Sequence, residues 1–66
     1  MLRVETIEQF YVLQFIKKNF DLKYVELQLE DKFSIKVLDA YNDELVFSYN
    51  VKNGKIEYSL KNILDF

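Results

Sequence analysis

An α+β fold, one N-terminal helix packed on a four-stranded antiparallel meander, follows from three features of this 66-residue sequence. Residues 6–20 (TIEQFYVLQFIKKNF) carry apolar side chains at helical spacing between start and stop signals. From residue 22 onward the apolar period changes to two. Short polar turns separate the alternating runs, and Asn53-Gly54 is the strongest short hairpin signal among them. The length fits one domain, residues 1–66, near the lower limit for folding without a staple.

The helix opens on a capping box. Thr6 is followed three residues later by Gln9, so the hydroxyl accepts from an early amide while Gln9 reaches back. Glu8 near the start and Lys17 and Lys18 near the end complement the helix dipole. Asn19 suits a left-handed C-terminal position, and Asp21 then turns the chain away.

Four strands follow. Val25, Leu27 and Leu29 alternate with Glu26, Gln28 and Glu30, and Phe33, Ile35 and Val37 alternate with Ser34 and Lys36. Leu45, Phe47, Tyr49 and Val51 form a third apolar row, and Ile56, Tyr58 and Leu60 a fourth. A two-residue type I′ turn at Asn53-Gly54 predicts Val51 opposite Ile56, Tyr49 opposite Tyr58 and Phe47 opposite Leu60. A loop at 30–32 predicts Leu29 opposite Phe33, Leu27 opposite Ile35 and Val25 opposite Val37. The longer loop at 39–43 sets Val37 against Leu45 and Ile35 against Phe47. Strand order is then 1-2-3-4. The outer face carries Glu26 beside Lys36, a row of Gln28, Ser34, Ser48 and Ser59, and Asn50 facing Glu57.

Two additions are expected at the ends. Leu2 and Val4 alternate with Arg3, as in a short edge strand. Strand, helix and four strands would be the cystatin-like topology, but the Gln-x-Val-x-Gly loop of the cystatin inhibitors is absent and none of their residues carry over. Residues 59–66 fit a short C-terminal helix with Ser59 as cap.

Composition closes off several functions. There is no cysteine, hence no disulfide or thiolate site, and no histidine, the commonest general base and zinc ligand. No proline and one glycine leave no phosphate-cradling loop. The serines have no histidine to activate them, so the chain is expected not to be an enzyme and to need no cofactor. Asp39, Asn42, Asp43 and Glu44 share a loop, but Asp and Asn are also what ordinary turns prefer, and no metal site is expected. A formal charge of −2 with one arginine argues against nucleic acid, and the aromatics Phe33, Phe47, Tyr49 and Tyr58 fall on the core face rather than on an open stacking face. No run is long enough for a membrane span and the first residues lack a signal-peptide pattern, so the expected location is cytoplasmic.

The helix is too apolar for a single role. At 100° per residue, Ile7, Tyr11 and Phe15 form one stripe about 80° wide. Val12, Leu13, Ile16 and Phe20 form a second across the helix, and Phe10 stands apart. One stripe can face the sheet. Val12, Ile16 and Phe20 are aliphatic-rich and are assigned to the core, while the Tyr11 hydroxyl suits a wet interface. Ile7, Tyr11 and Phe15, with Phe10 and Lys18, are therefore the candidate partner-binding residues. Alternatively, Leu2, Val4, Ile63, Leu64 and Phe66 could cover both stripes.

The expected function is a non-catalytic protein–protein interaction module: a small inhibitor or regulator of a larger partner, of the kind phages and mobile elements encode, or a homo-oligomeric accessory protein, most simply a homodimer. Rival readings are a self-associating structural subunit, a small-molecule carrier with an apolar pocket between helix and sheet, and a weak nucleic-acid binder using Lys17, Lys18, Lys23 and Lys61.

Overall fold

The computed structural model describes residues 2–41 and 43–60. One helix, α1 (Ile7–Asn19), is followed by four strands: β1 (Glu26–Asp31), β2 (Ser34–Leu38), β3 (Glu44–Asn50) and β4 (Lys55–Leu60). The strands form one antiparallel sheet in the order β1-β2-β3-β4, the predicted meander.

The helix begins where its capping box places it. Thr6 Oγ1 accepts from Gln9 N at 3.1 Å, and Gln9 Oε1 accepts from Thr6 N at 3.2 Å and from Glu5 N at 2.6 Å. The same two side chains also reach the sheet. Gln9 Nε2 donates to Asp31 O at 2.6 Å, and Thr6 Oγ1 donates to Lys32 O at 2.6 Å. The start of α1 is thus fastened to the β1–β2 turn by polar bonds that a bare apolar contact could not aim. At the other end Asn19 stays helical, its side-chain amide donating to Phe15 O at 2.8 Å, and the extended residue Phe20 closes the helix instead of a left-handed Asn19. Asp21 then turns the chain as expected, accepting from Lys23 N at 3.0 Å.

Gln9, Val12, Leu13 and Ile16 are the buried helical residues, spaced as one stripe. They meet Ile35 and Val37 of β2 and Phe47 of β3 in the core, with Phe20, Leu27, Leu45 and Ile56 packed around them. The stripe assigned to the core is the one that faces the sheet.

Both hairpins differ from the expected register by two residues. Leu29 lies opposite Ile35 and Leu27 opposite Val37, and the chain turns at Lys32-Phe33 between Asp31 and Ser34. Asp31 Oδ1 accepts from Phe33 N at 2.9 Å, which holds that tight turn and takes Phe33 off the core face. In the second hairpin Asn50 pairs with Lys55, Tyr49 with Ile56 and Phe47 with Tyr58. The turn is a four-residue loop, 51–54, rather than the two-residue Asn53-Gly54 turn. Asn50 explains it: its carbonyl accepts from Gly54 N at 2.7 Å and its side chain from Lys52 N at 2.9 Å, while Gly54 supplies the left-handed residue at φ 69°. Val51 is therefore in the loop and exposed. The β2–β3 register is as predicted, Val37 opposite Leu45 and Ile35 opposite Phe47.

The outer face shifts accordingly. Asp31, Ser34, Ser48 and Glu57 now form the row, with Ser34 and Ser48 hydroxyls 2.7 Å apart and Ser34 buried. Glu26 lies opposite Leu38, and Lys36 pairs with Glu44 at 3.8 Å. Asn50 still reaches Glu57, donating at 3.0 Å on the diagonal.

Residues 2–5 add no strand. Their side chains pack instead, with Leu2 beside Leu13, Leu22, Val25 and Leu27 around a crevice of about 190 Å³ on the β1 side. At the C-terminal end Ser59 and Leu60 complete β4 rather than opening a helix, and the rest of that expected helix lies outside the described residues.

Candidate functional site

The site arises from a mismatch of widths. A helix with its side chains is about 10 Å across, whereas strands repeat every ~4.8 Å, so one helix covers two or three strands of four. Here α1 lies over β2 and β3. The N-terminal residues fill in on the β1 side, and among the described residues β4 meets the core through Ile56 while Tyr58 stays exposed on its helix-facing side.

The result is an open groove between the flank of α1 and β4. Its floor is Leu45 and Phe47, its helix wall Phe15, Asn19 and Phe20, and its far wall Tyr58, enclosing about 300 Å³. Phe47 organises it: the rings of Phe15 and Phe20 lie 5.6 Å from its centroid and that of Tyr58 lies 5.9 Å away. These are separations at which tilted and edge-on rings attract. A second set of rings continues toward the helix start, with Tyr11 against Tyr49 at 5.3 Å and Phe10 against Tyr11 at 6.2 Å.

Of the candidate residues Phe15 lines the groove, while Ile7, Phe10 and Tyr11 are exposed on α1 outside it. Ile7 is 61% exposed, Phe10 43%, Tyr11 47% and Phe15 36%. Tyr11 and Phe15 are brought together with β3, each resting one edge on an aromatic of that strand, while Ile7 stands farther out at the helix start. Lys18 is exposed but does not line the groove. Alternation assigns Tyr58 to the core face; it does point to the helix side, yet it is 70% exposed because no described residue lies over that part of β4. The count of strands against one helix is the signal that could have found it.

The remaining polar clusters are accounted for by the fold. Asp39 Oδ1 accepts from Tyr41 N at 2.8 Å and from Asp43 N at 3.0 Å, so the acidic loop uses that carboxylate to tie its own backbone. Among the described residues no group of three or more His, Cys, Asp or Glu side chains could hold a metal, and every buried side-chain nitrogen or oxygen has a hydrogen-bond partner. No described helix is long and apolar enough to cross a membrane.

Comparison with protein-family models, with curated proteins and with solved structures finds no match. Any reading of function therefore rests on the groove itself. Its chemistry is that of a non-polar contact surface: six lining residues, five of them apolar or aromatic and none charged.

Proposed function

We propose that this chain is a non-catalytic protein-binding module, acting in the cytoplasm as a small inhibitor or regulator of a larger partner or as a homo-oligomeric accessory protein, and that the groove between α1 and β4 is its binding face. One observation carries the reading. Ile7, Phe10, Tyr11, Phe15 and Tyr58 leave a large apolar area in water along one side of a domain whose other helix face is fully packed. Patches of that extent on small domains mark contact with another chain, and aromatics are what such contacts favour at their centre.

The rival readings fit the groove less well. Small-molecule sites bury most of their ligand, whereas this one is open along its length. Nucleic acid needs cations near its phosphates, and among the described residues no Lys or Arg lines the groove.

The test is capture of a partner from cells that produce the protein, using wild type, Phe15→Glu in the groove and Tyr11→Glu beside it as baits. Both variants should keep the wild-type circular dichroism and lose the captured protein, because each buries a charge only in the complex. Capture that survives both substitutions would move the binding face elsewhere.

A further inference from the structure

Among the described residues nothing pairs with the outer edge of β4, whose one neighbour is β3, and on its helix side Tyr58 is exposed. The ladder reveals which backbone groups point outward. Tyr49 N donates to Phe33 O at 2.9 Å, so Tyr49, and by alternation Phe47, turn their backbone groups to β2. Ser48 and Asn50 turn theirs to β4, where Glu57 and Lys55 answer them. Ile56 and Tyr58 therefore direct N–H and C=O away from the sheet, a template for a further strand.

The two edges of the sheet are not alike. β1 is bulged between Leu29 and Asp31, carries Glu26, Glu30 and Asp31, and is flanked by the packed N-terminal residues. Bulges and charge are how natural sheets refuse a new strand. β4 lacks the bulge: its ladder with β3 runs unbroken, and of its two charged residues, Lys55 and Glu57, the acid is held by Asn50.

We infer that β4 is an interface strand and that its partner is the β4 of a second copy, joined antiparallel about a two-fold axis at Tyr58. This rests on reading the chain as a binding module and names the occupant of one part of its surface. The bulged β1 leaves β4 as the edge open to a second copy, and symmetry limits where the axis can fall. A two-fold axis normal to the sheet keeps helix side with helix side, so paired residues share parity and the axis must fall on a residue. At Tyr58 the outward N–H and C=O of each copy bond to their symmetry mates, and Glu57 meets Ser59, a carboxylate opposite a hydroxyl that can donate to it. At Glu57 the axis would oppose two carboxylates, which destabilises a pair, and at Ile56 it would pair only residues 55–57 of β4, whereas at Tyr58 it pairs residues 56–60. The alternative of β4 on a partner's β1 meets the bulge.

Strand spacing of ~4.8 Å puts the two helices about 19 Å apart in this arrangement, well beyond the 8–10 Å of packed helices. The contact is therefore the strand edge and the Tyr58 pair, with Tyr11 outside it. The two grooves lie side by side on one face.

Light scattering after size exclusion, across a range of concentrations, tests the inference. Wild type should run at twice the chain mass. Tyr58→Pro removes an outward N–H without touching the β3 ladder and should run at the chain mass with an unchanged circular dichroism spectrum. Tyr58→Thr keeps the N–H and should remain a dimer, as should Tyr11→Glu. Wild type at the chain mass throughout, or a folded Tyr58→Pro that still dimerises, overturns the pairing. Should Tyr58→Pro unfold, amide exchange of wild type decides: Ile56 and Tyr58 amides slowed at high concentration support the edge contact, and unchanged rates refute it. A monomer that still captures a partner through Tyr11 sinks the pairing alone, and a dimer that captures nothing sinks the groove reading alone.

Discussion

Gln9 shows how much of the architecture a single side chain can carry. It is 2% exposed and makes three hydrogen bonds, two accepted from the backbone at the helix start and one donated to the β1–β2 turn. Its amide is needed whole, since the oxygen serves α1 and the nitrogen serves Asp31. Gln9→Glu keeps the acceptor but sets a carboxylate oxygen against the Asp31 carbonyl in a buried place, so it is expected to destabilise the fold by about 3 kcal/mol in urea unfolding. A loss below about 0.5 kcal/mol would mean the turn tie is not formed in solution. The cap was legible from the Thr6–Gln9 spacing. The tie to Asp31 was not, because nothing local in the sequence says which turn lies over a helix end.

At the scale of elements, periodicity separates the two helix stripes, and the packing follows it. Ile16 is fully buried and Ile7 is not. Ile16→Ala should therefore cost about 3 kcal/mol, transfer and cavity together, while Ile7→Ala should change stability by less than about 0.5 kcal/mol. Comparable losses from both would show that the exposed stripe is covered within the chain. The strands teach a different lesson. Their faces were readable from alternation, yet both hairpin registers were off by two residues, a slip that leaves every side chain on its face and so is invisible to the hydrophobic pattern. Side-chain bonds in the turns decide between such registers. Asp31 to Phe33 N and Asn50 to Lys52 N shorten one turn and lengthen the other. Of the candidate site, the same periodicity reported the exposed stripe and with it Phe15, but not Asn19 or Phe20 of the helix wall, and Tyr58 was hidden because parity reports the face of a strand and not whether a helix reaches it.

For the molecule as a whole, the issue is whether one chain holds enough core. A domain of 66 residues without cysteine draws on packing alone, which supplies roughly 3–5 kcal/mol at this size. Here a helix, two central strands and the N-terminal residues share one cluster, and β4 adds little to it on its outer half. Association would raise the stability of such a chain by mass action. The melting temperature of wild type should accordingly climb with protein concentration, and the climb should vanish in Tyr58→Pro. A melting temperature independent of concentration would place all of the stability within a single chain.

The bulged, acidic β1 edge has a consequence for stoichiometry. When two copies join through β4, both margins of the resulting eight-stranded sheet are β1, and each is closed to addition. Growth then ends at two, and the strand that invites pairing is used up inside the pair. Removing the guard, by straightening the bulge or replacing the acids of β1, would leave a sheet able to lengthen without limit, which makes that unremarkable edge the feature that separates a finite assembly from a fibre.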